Sequence, residues 1–223
     1  CMDKDVFKAV LRDQGIPVTA NITLRAGDEA RNPFGYPCFV KPANLGSSVG
    51  VSKAHDAAEL ERAVELAARY DAKIVVERAV PEAREIECAV LGNDSPEASV
   101  PGEIVPSREF YDYAAKYLDG TSELHIPAQL LPQQAEHIRR WAIKAFQAVD
   151  CSGLARADFL LSRTTGELYL NELNTMPGFT AISMYPKLWE ATGLSLERLL
   201  DRLLQLALER HRQRAALSTA LNQ

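Results

Sequence analysis

Apolar residues recur at helical spacing in five parts of the chain. The first of these helices would end at Gly15, because glycine commonly terminates a helix. A second would begin at Asp56, where Glu59 three residues later completes the pattern of a capping box. The predicted helices cover residues 3–14, 56–69, 132–149, 182–191 and 195–211.

Short apolar runs between these helices predict β-strands. Some of these runs follow one another closely, separated only by loop residues, which is typical of neighbouring hairpin strands. Mixed helices and hairpins favour an α+β fold over a regularly alternating βαβ protein. The predicted strands cover residues 38–42, 49–53, 73–80, 84–91, 154–161 and 167–173.

Composition narrows the class of protein. The chain has 223 residues, of which 47% are hydrophobic and 25% charged, and this excludes a disordered chain. A net charge of −5 offers no overall basic field for nucleic acid or a membrane surface, although it is compatible with a local anion site. No apolar run approaches the roughly 20 residues of a membrane-spanning helix. Cys38 and Cys88 lie in apolar runs and are expected to be reduced thiols of the core.

Acidic and amide side chains converge on the predicted hairpin near the end of the chain. A three-residue loop ending at Gly166 would place Asp158 opposite Glu172 and Arg156 opposite Asn174, all on one face. Two opposed carboxylates repel each other unless a cation lies between them. Carboxylate and amide oxygens are the ligands that Mg²⁺ takes beside nucleotide phosphates. The alternative interpretation is a solvated polar face of the strand.

A loop rich in glycine and serine, residues 46–50, follows Lys41. Small residues let backbone N–H groups approach phosphate oxygens, and Lys41 could add a positive charge to the same site. The same loop is compatible with an ordinary turn.

Two further features each allow two interpretations. Glu77 could accept a hydrogen bond from a ribose hydroxyl or face solvent. The aromatic stretch 110–117 could be a lid that excludes water or a structural Ω-loop.

Five motifs in their order along the chain resemble one known family. They are VKPANLGSSVG (40–50), ERAVPEAREIE (77–87), FYDYAAKY (110–117), ARAD (155–158) and NELNTMPGFT (171–180). Together they resemble the D-alanine–D-alanine ligases of the ATP-grasp superfamily, from Met2 to the last helix. The resemblance implies an α+β ATP-grasp fold, with ATP bound between a central lobe (residues 1–100) and a C-terminal lobe (residues 101–223).

The resemblance also implies which residues bind nucleotide and metal. Lys4 and Lys41 would contact the ATP phosphates beneath the flexible loop, and the residues after Glu77 would hold adenine and ribose. Two Mg²⁺ ions, replaceable by Mn²⁺, would bind Asp158, Glu172 and Asn174. The full nucleotide set is Lys4, Lys41, Gly46, Ser47, Ser48, Val49, Gly50, Glu77, Arg78, Val80, Glu85, Phe110 and Lys116.

The implied reaction has two steps. The carboxylate of one D-alanine, positioned by Ser47 and Tyr117, attacks the γ-phosphate and forms an acyl phosphate. The amine of a second D-alanine then attacks the carbonyl carbon. Arg156 and the backbone of Gly178 would face the oxyanion. Ser183 and Met184 would bind the second D-alanine.

The expected product is D-alanyl-D-alanine for peptidoglycan synthesis in a bacterial cytoplasm. Tyr117 favours D-alanine over D-lactate or D-serine as the second substrate, but ligases for those acceptors are close alternatives. A different class is an ATP-binding module with little turnover. We expect that behaviour of this polypeptide because it lacks the family's N-terminal substrate domain, which also supplies part of the homodimer surface.

Overall fold

The computed structural model describes residues 1–105, 123–180 and 182–218, so the predicted roles of Phe110, Lys116 and Tyr117 lie outside the described residues. The described residues within Cys1–Ile86, Glu103–His125 and Asp158–Glu172 form one compact unit. Those within Glu87–Gly102, Ile126–Ala157 and Leu173–Gln223 form a second. These units interleave along the chain and are not the consecutive segments 1–100 and 101–223. The assignment of those segments as functional lobes stays a prediction.

All five predicted helices are present, with small shifts at their ends. The Asp56 carboxylate caps α2 by accepting a hydrogen bond from the Glu59 backbone N–H, as predicted. The Glu59 carboxylate instead accepts from the backbone N–H of His55, so the capping box is only half formed. The helices are α1 (Lys4–Asp13), α2 (Ala57–Ala68), α3 (Pro132–Ala148), α4 (Met184–Ala191) and α5 (Leu196–Ala215).

A four-stranded antiparallel sheet belongs to the first unit, in the order β1-β4-β2-β3. Strand β1 was not predicted, because its alternation of apolar and polar residues covers only a few positions. Helix α2 packs on this sheet around a buried apolar cluster that includes Leu24, Val40 and Ile74. The strands are β1 (Asn21–Arg25), β2 (Cys38–Pro42), β3 (Ser52–Ala54) and β4 (Lys73–Arg78).

In the described part of the chain a second sheet has the order β10-β9-β5-β7-β8, and β6 pairs with β5. Sheets and helices together confirm the α+β class. Cys38 and Cys88 are both fully buried free thiols, which confirms their prediction as core residues. The strands are β5 (Ala83–Gly92), β6 (Glu97–Ala98), β7 (Gly102–Val105), β8 (Glu123–His125), β9 (Gly153–Ser162) and β10 (Leu168–Asn174).

Helices α4 and α5 are held in the second unit by buried side chains. The hydroxyl of Tyr185, on α4, donates to the Val90 carbonyl over 2.9 Å. The side-chain amide of Asn93 donates to the Leu206 carbonyl, on α5, over 3.0 Å. Among the described helices, none combines the length and the apolar character that crossing a membrane requires.

Candidate functional site

A buried cluster of charges surrounds Glu77, near the end of β4. The Glu77 side chain is 3% exposed, so it is not a solvent-facing acid, and its contact with ribose stays a prediction. Its Oε2 lies 2.8 Å from the Lys41 ammonium, and its Oε1 lies 3.2 Å from the ammonium of Lys8. Lys41 also donates to Oδ1 of Asn171 over 3.3 Å. Lys41 therefore contacts strand β10 at Asn171, the residue that precedes Glu172.

The electrostatics of this cluster keep the carboxylate charged. Burial alone would raise the pKa of Glu77, but the two lysines, Lys41 first, outweigh it and lower the pKa to about 2. Burial lowers the pKa of Lys8 to about 8, although Glu77 opposes that shift. With both lysines protonated, two cations share one anion. The cluster then carries a net positive charge, which suits an anionic ligand.

Hydrogen bonds hold the residues that directly precede the glycine- and serine-rich loop. The Lys4 ammonium donates to the Leu45 carbonyl over 2.6 Å, which places Lys4 at the loop where its phosphate contact is predicted. The carboxylate of Asp71 accepts from the backbone N–H and the side-chain amide of Asn44, over 2.7 and 2.9 Å. Ser47 and Ser48 both have positive φ angles, of 55° and 57°. Non-glycine residues adopt this conformation at a cost, and such strain is concentrated at functional sites.

The other end of the loop is fixed at Gly50, and we expect Gly50→Ala to destabilise the protein by about 1–3 kcal/mol. Gly50 has a φ of +70°, and a Cβ there would lie 2.7 Å from the Tyr70 ring and 2.9 Å from Pro42. Urea denaturation measures the loss. Gly46→Ala is the matched control, because a Cβ on Gly46 meets nothing within 4 Å and its φ is not positive. Equal effects of the two substitutions would contradict this account of the loop.

The remaining residues of the predicted nucleotide set are less enclosed. Arg78 is exposed, and its backbone N–H donates to the Ala20 carbonyl over 3.0 Å, so a backbone contact with adenine would have to use its carbonyl. Val80 and Glu85 are half-buried, Val80 just after β4 and Glu85 on β5. Their contacts with adenine and ribose stay predictions.

The hairpin of β9 and β10 has a longer loop than predicted. Ser162 donates to the Glu167 carbonyl over 2.9 Å and accepts from Gly166 over 3.0 Å, so residues 163–166 form a four-residue loop. The predicted pairing of Arg163 with Glu167 is therefore wrong by one residue. The predicted positive φ at Gly166 is confirmed, at 73°. The predicted loop length was wrong because a four-residue loop and a three-residue loop can both end on a glycine.

Strand β10 then departs from strict alternation. Counting from Ser162 and Glu167 would place Asp158 opposite Asn171. However, the buried residues of β10 are Leu170 and Leu173, three positions apart, so the alternation shifts by one across Asn171 and Glu172. A shift of one residue is what would bring Glu172 back opposite Asp158. The pairing of Asp158 with Glu172 at the far end of the hairpin stays a prediction.

The donor chemistry of this hairpin fits a hard divalent cation. Asp158 and Glu172 are half-buried carboxylates on neighbouring strands, and Asn174 follows on β10. One lone pair of Asn174 Oδ1 is used, because it accepts from the Met176 backbone N–H over 3.1 Å, which leaves the other for a metal. No group of three His, Cys, Asp or Glu side chains positioned for a metal occurs within residues 1–105, 123–180 and 182–218. The predicted ligand set has two carboxylates and an amide, and nucleotide phosphates would complete it.

Arg156, the predicted oxyanion partner, is paired with a buried acid that the sequence did not single out. Its Nε lies 3.0 Å from Oε2 of Glu87, on β5, and the Glu87 side chain is 6% exposed. A guanidinium held by a buried carboxylate is limited to a few orientations. Glu87 thus restricts the orientation of the Arg156 guanidinium.

The residues predicted for the second D-alanine lie around the start of α4. Ser183 Oγ accepts from the Thr180 backbone N–H over 3.1 Å, and a Cβ on Gly178 would lie 2.8 Å from the same oxygen. Glycine at 178 therefore leaves room for the Ser183 hydroxyl. Met184 is 5% exposed and lies close to Gly102, so a contact with substrate would have to use its backbone.

Sequence reasoning missed four residues that support the predicted ones. Lys8 is the clearest, since it lies between Phe7 and Leu11 on the buried face of α1, where a lysine is unusual. Its position among apolar residues was the sequence feature that could have identified Lys8. The others pair with partners far away in the chain, so no local pattern marks them. The missed residues are Lys8, Tyr70, Asp71 and Glu87.

Comparisons with known proteins agree with this arrangement. The family model described as "D-ala D-ala ligase C-terminus" matches residues 10–205. The chain is 54% identical to a D-alanine–D-alanine ligase of Thermoanaerobacter sp. (strain X514) and 51% identical to one of Solibacter usitatus. These alignments cover 96% of this chain and 62% and 66% of the two relatives.

Solved structures give the same result for the fold. The D-alanine-D-alanine ligase from Coxiella burnetii superposes with a TM-score of 0.84 at 41% identity, over 96% of this chain and 59% of that one. The VanG D-Ala:D-Ser ligase from Enterococcus faecalis gives 0.83 at 35% identity, over 92% and 61%. The fold is thus the α+β ATP-grasp fold.

Within that class, the chain belongs to the D-alanine–D-alanine ligase family, by its C-terminal region. It spans about three fifths of the length of the curated relatives that it matches, 62% for the first.

Proposed function

We propose that this protein binds ATP with Mg²⁺ and joins two D-alanine molecules to form D-alanyl-D-alanine. The observation that carries the proposal is the position of the Lys41 ammonium. It lies 2.8 Å from the buried Glu77 and 3.3 Å from Oδ1 of Asn171, the residue before Glu172 on β10. A cation suited to phosphate thus contacts the strand that carries two of the predicted metal ligands, in a chain of this family.

The phosphate groups bind at the loop of residues 46–50. Lys41 and Lys4 supply positive charge at its base, and the small residues of the loop let backbone N–H groups reach phosphate oxygens. The strained Ser47 and Ser48 turn the backbone there. Adenine and ribose bind along the segment from Glu77 to Glu85.

Two Mg²⁺ ions, or Mn²⁺ in their place, are held by Asp158, Glu172 and Asn174. When bound, these cations offset the negative charge that phosphoryl transfer moves between oxygens. The protein's part is to bring these oxygen ligands together on the hairpin, with the Lys41 ammonium 3.3 Å from Oδ1 of Asn171 on the same strand as Glu172.

Bond formation follows in two balanced steps. A carboxylate oxygen of the first D-alanine attacks the γ-phosphorus and ADP leaves, which gives an acyl phosphate. The amine of the second D-alanine then attacks the acyl carbon, loses a proton, and inorganic phosphate leaves. Arg156, held by Glu87, donates hydrogen bonds to the oxyanion with the backbone of Gly178. Ser183 binds the carboxylate of the second D-alanine.

The dipeptide is favoured over the depsipeptide and over D-alanyl-D-serine. The curated relatives compared, at 54% and 51% identity, both carry the name of a D-alanine–D-alanine ligase. The product would serve peptidoglycan synthesis in the bacterial cytoplasm.

Product analysis tests this function. The protein is incubated with ATP, Mg²⁺ and equal concentrations of D-alanine, D-lactate and D-serine at neutral pH, and the products are separated by mass. We expect slow phosphate release that depends on D-alanine, with D-alanyl-D-alanine as the main product. Predominant depsipeptide or D-alanyl-D-serine would overturn the assigned acceptor. Phosphate release that does not change when D-alanine is added would overturn the ligase assignment.

A further inference from the structure

Lys8 is a buried cation that the proposed reaction does not use. It lies on α1 and is 0% exposed. Its ammonium donates to Oγ1 of Thr19 over 2.6 Å and lies 3.2 Å from Oε1 of Glu77. Thr19 is itself 4% exposed, and its hydroxyl is 3.4 Å from the other Glu77 oxygen, Oε2. Lys8 therefore reaches the same carboxylate as Lys41, from the opposite oxygen.

A purely structural role does not account for a second lysine here. Removing a charge from water is costly, and a protein with an apolar residue at such a buried position is often as stable as one with the charge, or more stable. Glu77 already has a counter-charge in Lys41, so the pair would be neutral without Lys8. Burial also lowers the pKa of Lys8 to about 8, a measure of how unfavourable its charge is there. A charge retained at such a cost points to a function.

The geometry shows what the second lysine does to the first. Lys8 lies against one oxygen of Glu77 and Thr19 against the other, both on the buried side, which limits rotation of the carboxylate. Oε2 is thereby held toward Lys41, whose side chain is 12% exposed and lies on β2, the strand that precedes the loop of residues 46–50. Lys8 also offsets the charge of Glu77. Part of the charge of Lys41 is then left for an external anion.

We propose that Lys8 is a positioning residue for the triphosphate: through Glu77 it orients Lys41, and by sharing the charge of Glu77 it leaves the charge of Lys41 only partly compensated. This inference rests on the proposed function, since it requires ATP to bind at Lys41. Lys8 itself does not touch the nucleotide.

The main test compares ATP binding by Lys8→Met with that of the unchanged chain. Met has a similar length, and Glu77 keeps Lys41 as its counter-charge, so the fold should persist. Calorimetric titration with ATP and Mg²⁺ at pH 7 should show about tenfold weaker binding by Lys8→Met. Lys144→Met, which removes an exposed lysine of α3, is the matched control and should bind as the unchanged chain does.

The pH dependence of ATP affinity distinguishes a positioning role of the Lys8 charge from a role of Lys8 in packing alone. The groups that face Lys8 are Glu77 on β4, Lys41 on β2, Thr19 before β1 and Arg12 on α1 itself. Between pH 7 and pH 9 the unchanged chain should lose roughly fivefold in affinity as Lys8 loses its proton. Lys8→Met should show no such loss between these pH values, because the titrating group is gone.

A second variant covers the case in which Lys8→Met does not fold. Thr19→Val keeps the shape of the side chain but removes the hydroxyl that contacts Lys8 and Glu77, and it should also weaken ATP binding. Equal affinity of a folded Lys8→Met and the unchanged chain, with parallel pH profiles, would overturn the role of Lys8. If Lys8→Met does not fold, unchanged affinity in Thr19→Val would overturn it. Failure of the unchanged chain to bind ATP would instead refute the proposed function itself.

Discussion

Replacing Asp158 with Asn and Glu172 with Gln will abolish the Mg²⁺-dependent part of ATP binding. Both substitutions keep the size of the side chain and remove its negative charge. Mg²⁺ is held mainly by charged oxygens, and a site that loses both carboxylates retains only Asn174 and the phosphates as ligands. We expect affinity for Mg²⁺-ATP to fall by at least about a hundredfold, as expected when several charge interactions are lost together.

Thermal melts measure this loss. The unchanged chain should melt at a higher temperature with ATP and Mg²⁺ than with ATP and EDTA, because a ligand that binds only the folded state stabilises it. The double variant should show no difference between the two conditions. Glu167→Gln, an exposed acid on the same hairpin, is the matched control and should behave as the unchanged chain. A double variant that is still stabilised by Mg²⁺ would remove Asp158 and Glu172 from the metal site.

Glu77→Gln will destabilise the protein by about 3–5 kcal/mol. The substitution keeps the shape of the side chain but leaves Lys8 and Lys41 without their shared counter-charge, and Lys8 is fully buried. An uncompensated buried charge is among the most destabilising single changes. Urea denaturation at pH 7 measures the loss, with Glu61→Gln on the exposed face of α2 as the control.

The same residue governs stability in acid. The pKa of Glu77 is about 2 in the folded protein, against an ordinary value of 4.5. A lowered pKa means that the unfolded chain takes up the proton first, so the contribution of Glu77 is complete above pH 4.5 and is lost as pH falls toward 2. That contribution is about 3 kcal/mol. The difference in stability between the unchanged chain and Glu77→Gln should therefore shrink over this range. A constant difference from pH 5 to pH 2 would contradict the buried ion pairs.

The local features of the fold could be predicted from the sequence because their causes are local. Helix α1 ends where Gly15 follows it, and Asp56 caps α2 through its nearest neighbours. The positive φ of Gly166 was predictable for the same reason. The register of the hairpin was not, since a longer loop and a break in alternation near Glu172 are each one-residue events.

The buried charge cluster could not be predicted because its members are distant in the chain. Lys8, Lys41 and Glu77 belong to α1, β2 and β4, and only the folded sheet brings them together. Glu77 by itself suggested either an acceptor for a ribose hydroxyl or a solvent-facing acid. Its burial is decided by β1 and β2, which pair with β4 on both sides at that residue. Strand β1 was the one strand missing from the predicted set for this sheet.

Direct titration of the unchanged chain with ATP tests the central claim, that these residues form the Mg²⁺-ATP site of a D-alanine–D-alanine ligase. Calorimetry at pH 7 gives the stoichiometry and the affinity with and without Mg²⁺. We predict one saturable site per chain and tighter binding in the presence of Mg²⁺. The absence of saturable ATP binding in both conditions would contradict it.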